Sequence, residues 1–163
     1  MPPIFRVKRA EDLERIPFQD GVAAIEMPAK LIKCVELKND YRGDSRRLEA
    51  LKATIRRDGF QPFEPIVARI GRKGRWVIID GGHRLTAARE IMDEFWTNLF
   101  GTKVKIFYFV LFTTEDSWAK VDPPLEMVPQ PVDPRLRHAM QVAWDDAKQR
   151  ARSLESGLPL SGE

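Results

Sequence analysis

Apolar residues along the chain recur in short runs with a period of two, and this alternation is typical of β-strands. The predicted strands cover residues 22–27, 32–37, 65–70, 75–79 and 103–112. The last run is apolar on both faces beyond Lys105, so we expect it in the centre of the sheet. Residues 71–74 read Gly-Arg-Lys-Gly and are expected to close a turn between the strands on either side.

Three other segments carry apolar residues at spacings of three and four, which predicts amphipathic helices. The first follows a possible N-cap at Asp44 or Ser45 and ends before Gly59. Glycine is common at the position directly after a helix, so Gly59 is expected to end it. The second begins at Leu85 and the third covers residues 135–154. The expected core positions are Leu48, Leu51 and Ile55 in the first, Leu85, Ala88, Met92 and Phe95 in the second, and Leu136, Met140, Ala143, Ala147 and Leu154 in the third.

Five prolines between residues 123 and 134 predict an extended connector, because proline removes a backbone donor and does not fit a helix interior. We therefore divide the chain into a domain at 1–120, a Pro-rich connector at 121–134 and a C-terminal helix with its tail at 135–163. The predicted fold class is α/β (α+β), with a small mixed β-sheet, flanking helices and that C-terminal helix.

The segment 80–88, Asp-Gly-Gly-His-Arg-Leu-Thr-Ala-Ala, stands between a predicted strand and a predicted helix. The first N–H groups of a helix lack intrahelical partners and its dipole favours an anion, so this junction suits a phosphate. Gly81 and Gly82 allow close approach to the backbone, while His83 and Arg84 add a donor and a positive charge. A tight turn with a capping histidine and a paired arginine is the structural alternative.

This segment resembles the signature loop of the ParB/sulfiredoxin superfamily. The helix–glycine run at 48–60 and the Pro-Ile-Val strand starting at Pro65 are similar to it as well, so the resemblance covers about residues 22–112. In that superfamily the loop matching Gly81 to Arg84 grips the phosphates of a nucleotide. Its members include partition proteins that bind and hydrolyse CTP, free serine kinases, sulfiredoxins and nucleases.

The chain departs from two of these groups. Sulfiredoxins have their reactive cysteine where this chain has Gly82, and its one cysteine, Cys34, lies far upstream in a predicted strand, so sulfiredoxin activity is not expected. Partition proteins have a Gly-Glu-Arg-Arg loop and a helix-turn-helix domain, and neither is evident here. The Asp-Gly-x-His-Arg form is closer to the serine kinases and to phage or plasmid ParB-like proteins.

The resemblance and the loop chemistry together nominate the site residues. Gly81, Gly82, His83, Arg84 and Thr86 are the predicted phosphate-binding residues. Asp80 is the predicted catalytic and metal-linked carboxylate, because phosphoryl transfer usually uses Mg²⁺ and a carboxylate. Glu36 and Asp44 are the other catalytic candidates, with an exposed strand position and a helix N-cap as their structural alternatives.

The net charge of +3 conceals an uneven distribution. Residues 42–89 hold 12 Lys and Arg against 5 Asp and Glu. Such an excess attracts a polyanion, either a nucleotide or a nucleic-acid backbone. The alternative is a solvated helix face and a hairpin tip. The predicted basic surface comprises Arg46, Arg47, Arg56, Arg57, Arg72 and Lys73.

The remaining composition excludes several classes. A single cysteine cannot form an internal disulfide framework, and it shows no zinc-site spacing with His83 and His138. No run reaches the roughly 18 apolar residues of a membrane helix, so we expect a cytoplasmic protein without a membrane partner. The predicted function is a ParB-like domain that binds and hydrolyses ATP or CTP with Mg²⁺ and acts with DNA or a DNA-bound partner. A small-molecule kinase and a metal-dependent nuclease are the alternatives, and a homodimer is left open.

Overall fold

A computed structural model of the protein describes residues 2–39, 45–94, 104–114, 125–130 and 132–156. It confirms the predicted mixed α/β fold. The predictions for Asp44, for Phe95, for connector residues 121–124 and 131 and for the tail from 157 fall outside these residues. The described elements are β1 (Ile4–Arg6), β2 (Val22–Pro28), β3 (Leu37–Lys38), α1 (Ser45–Asp58), β4 (Ile66–Ile70), β5 (Trp76–Asp80), α2 (Gly82–Met92), β6 (Ile106–Phe112) and α3 (Pro134–Glu155), with 3₁₀ turns at Ala10–Glu14, Ala29–Cys34 and Arg72–Gly74.

The described strands form one six-stranded sheet in the order β1-β2-β6-β4-β5-β3. β6 lies antiparallel to β2 and parallel to β4, which confirms its predicted central position. Its side chains alternate between two cores: Phe107, Phe109 and Leu111 on one face, and Val110 and Phe112 on the other. A strand covered on both faces has no polar side, and this explains its continuous apolar run.

One face of the sheet packs against α1 and α2. In α2 the buried residues are Leu85, Ala87, Ala88 and Ile91, so the predicted face is confirmed and widened. In α1 only Ile55 is fully buried, while its neighbouring apolar residues pack against the same core from half-buried positions. The predicted end of α1 is also confirmed, since Gly59 follows it with a φ of +85°.

The opposite face packs against α3. The Asp133 side chain caps this helix by accepting a hydrogen bond of 2.8 Å from the Arg135 backbone N–H, and Pro134 occupies the first turn, where no donor is needed. The helix predicted at 135–154 therefore has almost the expected bounds. Its buried residues are Leu136, Met140, Trp144, Ala147 and Ala151.

The strand predicted at residues 32–37 is wrong. The chain forms a 3₁₀ turn at Ala29–Cys34, and only Leu37–Lys38 pairs with the sheet. Ala29 and Ile32 are buried, so the apolar residues here recur every third position, the period of a 3₁₀ helix. Cys34, which we placed in that strand, is exposed at the end of the turn.

Strand β1 was not predicted. It pairs with β2 in parallel over three residues, and its outer edge is covered by the segment 126–128 through the bonds from Arg6 N to the Glu126 carbonyl and from Val128 N to the Ile4 carbonyl, both 2.9 Å. Within the described ranges, none of the helices combines the length and apolar composition that crossing a bilayer requires.

Candidate functional site

The segment 80–84 forms a sharp junction between β5 and α2. Asp80 ends the strand with an exposed side chain, Gly81 adopts a φ of +87°, and α2 begins at Gly82. A Cβ atom on Gly81 would lie 2.9 Å from Arg84 Nη2 and 3.2 Å from Ile66 Cγ1. Both the left-handed backbone and the crowding require glycine here, so the first glycine of the segment shapes the turn.

Asn39, which the sequence analysis did not select, contacts Gly82, the second glycine of the segment. Asn39 Nδ2 donates to the Gly82 carbonyl and to Thr86 Oγ1, both at 3.1 Å. A Cβ atom on Gly82 would lie 2.6 Å from Asn39 Oδ1. Because Thr86 accepts this bond, its hydroxyl proton is left to donate to a further acceptor. No local pattern points to Asn39, since its contacts span more than 40 residues of sequence.

The Arg84 guanidinium points toward the start of β4. It donates hydrogen bonds to the Glu64 carbonyl and, at 3.2 Å, to the Pro65 carbonyl. Its Nε atom lies 3.5 Å from the Glu64 carboxylate. Burial lowers the Arg84 pKa, and the nearby carboxylates of Glu64 and Asp80 oppose that shift. The group stays charged, as arginine does in proteins. Arg84 thus joins the first turn of α2 to the two residues before β4, and its approach to Glu64 agrees with the structural alternative of a paired arginine.

Helices α1 and α2 lie side by side and point in the same direction. Lys52 pairs with Glu90 at 3.2 Å. Arg56, four residues after Lys52, pairs with Glu94, four residues after Glu90. Because both pairs are 38 residues apart, the two helices run in the same direction, and the start of α1 lies beside the start of α2. The positive ends of two helix dipoles therefore meet next to the loop.

The same end of the helix pair carries two of the predicted basic residues. Arg46 and Arg47 are exposed in the first turn of α1. His83 is half-buried in the first turn of α2, two residues after Gly81. The structure thus gathers helix ends, Thr86 and cationic side chains at one end of the sheet.

The rest of the predicted basic surface is largely balanced by acidic partners or placed elsewhere. Arg57 pairs with Asp58 at 2.9 Å, and Arg56 pairs with Glu94, whose hydrogen bond to the guanidinium lowers the Glu94 pKa. Arg69, which contributed to the counted excess, is only 5% exposed in β4. Exposed pairs of this kind neutralise much of the long-range field that the sequence suggested.

Several predicted residues lie away from the loop. Lys73 is exposed in the turn between β4 and β5, and the side chain of Arg72 falls outside the described atoms. Glu36 pairs with Arg75 at 3.0 Å, and its carbonyl accepts from Trp76 N at 2.9 Å. Trp76 begins β5 and Asp80 ends it, about 13 Å away at about 3.3 Å per residue. Glu36 and Asp80 are therefore not brought together.

Asp80 remains the carboxylate at the loop. Within the described part of the chain, no three His, Cys, Asp or Glu side chains are grouped so as to hold a metal ion. Magnesium is commonly held by one or two carboxylates together with substrate phosphates and water. The placement of Asp80 is thus compatible with a metal that arrives with a nucleotide rather than with a preformed cage.

Comparisons with protein-family models, with curated proteins and with solved structures give no match for this chain.

Proposed function

We propose that the protein is a ParB-like nucleotide-binding domain that takes a nucleoside triphosphate, ATP or CTP, at the adjoining N-terminal ends of α1 and α2. We propose further that the protein hydrolyses the nucleotide with Mg²⁺ and works with DNA or a DNA-bound partner. The parallel arrangement of the two helices beside the Gly81–Arg84 loop carries the argument.

The physical support lies in the charge that this end of the molecule presents. The first N–H groups of two helices have no intrahelical partners and the two helix dipoles add, which together favour a phosphate group. Arg46 and Arg47 add formal positive charge, and the Thr86 hydroxyl adds a donor. We assign to Asp80, the exposed residue that ends β5, the role of holding Mg²⁺ against the phosphates or of orienting a water molecule.

Calorimetric titration with ATP, CTP, GTP and ADP, with and without Mg²⁺, tests the binding step. We expect micromolar affinity for ATP or CTP. His83→Glu should weaken it more than tenfold, because a carboxylate in the first helical turn suits the helix dipole yet repels phosphate. Gln149→Glu makes the same charge change on an exposed position of α3 and should leave affinity unchanged. Thermal melts establish that both variants fold.

Absence of binding at millimolar nucleotide would refute the proposal, as would equal affinities of the two variants. Hydrolysis is tested separately by phosphate release, where Asp80→Asn should abolish turnover while retaining nucleotide binding. Retained turnover in that variant would remove Asp80 from the chemistry.

The DNA step is tested by fluorescence anisotropy with a labelled duplex. Reversing both charges of Arg46 and Arg47 should weaken binding and reduce its dependence on salt, since each phosphate contact contributes to the salt slope. Reversing both Arg56 and Arg57 is the matched control, because it makes the same change in net charge near the other end of α1. Equal losses in the two proteins would argue against an interface at the helix ends.

A further inference from the structure

A groove of about 530 Å³ lies between α3 and the end of the sheet where β5 finishes and β4 begins. One wall consists of His138, Val142 and Asp146, which are spaced by four residues and so form one stripe along the helix. Glu64, Asp80 and Arg84 line the other side. This volume is within the range of sites for small organic ligands.

The groove has exposed apolar surface on its α3 wall. Val142 is 56% exposed, and Met127, at 36%, is the other large apolar side chain exposed among the described residues. Val142 does not contribute to either core, although α3 is otherwise packed on the sheet. An apolar ligand body can therefore be buried against this wall.

The charge lining the groove is negative. Three carboxylates, those of Glu64, Asp80 and Asp146, line it together with one guanidinium, that of Arg84. Glu64 lies 3.5 Å from Arg84 Nε and Asp146 pairs with Arg150 at 2.8 Å, so the excess is one negative charge. Arg84 already donates to two backbone carbonyls at the start of β4. A phosphate is disfavoured on this side of the loop, whereas a cation gains from the surrounding carboxylates.

From this combination we propose that the groove binds a small organic cation, namely a protonated amine on a compact branched apolar body. The ammonium group would lie among the carboxylates and the hydrocarbon would cover Val142. This site is on the α3 side of the sheet, and Asp80 is the one side chain that it shares with the proposed nucleotide site at the ends of α1 and α2.

Three probes that carry the same 3-methylbutyl group test the chemistry: 3-methylbutylamine, 3-methylbutan-1-ol and 4-methylpentanoate. Titration of the ¹⁵N-labelled protein, followed by amide chemical shifts, reports both affinity and location. We expect the amine to shift the amides around Val142 and the alcohol to bind at least tenfold more weakly. The anion should give no shift there.

Two variants on α3 provide the matched pair. Asp146→Asn removes a carboxylate of the groove and also takes the Asp146 partner away from Arg150, so the groove loses its excess of negative charge and amine binding should weaken roughly tenfold. Asp145→Asn makes the same change one residue away on an exposed position outside the groove lining, and should have no effect.

Equal binding of the amine and the alcohol would overturn the proposal. So would equal affinities of the two variants, or shifts around Val142 caused by ATP instead of the amine. Nucleotide affinity is measured independently by calorimetry. A protein that binds the amine but no nucleotide would refute the proposed function and support this inference, and the opposite result would do the reverse.

Discussion

Replacing Arg84 with alanine should destabilise the fold, whatever the protein binds. The side chain is 22% exposed, and its guanidinium donates to the carbonyls of Glu64 and Pro65. Hydrogen bonds from a charged group contribute roughly 1.5–3 kcal/mol each, and an acceptor left buried without a partner adds to the loss. After allowance for partial exposure, we expect the free energy of unfolding to fall by about 2–4 kcal/mol.

The measurement is equilibrium unfolding in urea, followed by circular dichroism, with a thermal melt in parallel. For a chain of this length each kcal/mol moves the melting temperature by about 2–4 °C. Arg84→Ala should therefore melt roughly 5–15 °C lower than the natural protein. Arg84→Lys keeps the charge but loses the planar fork, so its loss should be intermediate.

Arg89→Ala is the control, because Arg89 is an exposed arginine on the same helix. It should lose less than about 1 kcal/mol, the scale of a cation's interaction with a helix C-terminus. If Arg84→Ala lost no more than Arg89→Ala, the contacts with β4 would not be stabilising. The sequence alone also predicts a more than tenfold loss of triphosphate affinity in Arg84→Ala, which calorimetry below both melting transitions would test.

Three other changes test separate parts of the structure. Gly81→Ala should lower the free energy of unfolding in urea by about 1–3 kcal/mol, because a φ of +87° disfavours a Cβ atom and an added Cβ would lie 3.2 Å from Ile66 Cγ1. A loss below about 0.5 kcal/mol would contradict this crowding. Met140 is 0% exposed, so Met140→Ala should lower the free energy of unfolding by about 2–5 kcal/mol. Val142→Ala, on the exposed side of the same helix, should lower it by less than about 0.5 kcal/mol. Similar losses in the two variants would show that α3 does not pack as described. Burial, aided by a neighbouring carboxylate, raises the pKa of Tyr108 to about 12. Its contribution to stability is therefore complete below pH of about 10 and lost as pH rises toward 12, and an ultraviolet titration of the natural protein against Tyr108→Phe should show this late phenolic transition.

The regular elements could be predicted because their signals are local. The alternation in β6, the glycines around the β4–β5 turn and the apolar spacing in α3 each act within a few residues. The mistaken strand at residues 32–37 shows the limit of that reasoning. In a short run whose apolar residues are spaced by both two and three positions, the pattern fits a strand or a 3₁₀ turn equally well. Only the folded chain distinguishes them, because there Ile32 is buried as part of a turn.

The site was predictable in its backbone but not in its contacts. The strand–glycine–helix order indicated the turn at Gly81, and that turn is present. Asn39, the Glu64 carbonyl and the pairs between α1 and α2 join residues 20 to 47 positions apart, so no spacing rule reports them. The count of basic residues overestimated the free charge for the same reason, since it could not include partners such as Glu94.

The contacts of Arg84 bear on how one loop can serve two kinds of ligand. Its guanidinium ties the first turn of α2 to β4 and lies on the α3 side, where carboxylates surround it. The α1 side of the same turn instead has the helix N-termini and the arginines of the first turn of α1. Opposite charges on the two sides predict that an anion on the α1 side and an organic cation on the α3 side can bind at the same time, with Asp80 the one side chain proposed for both sites. Because they share one rigid turn, binding of either should alter the affinity of the other only through that turn, and the coupling must be equal in both directions.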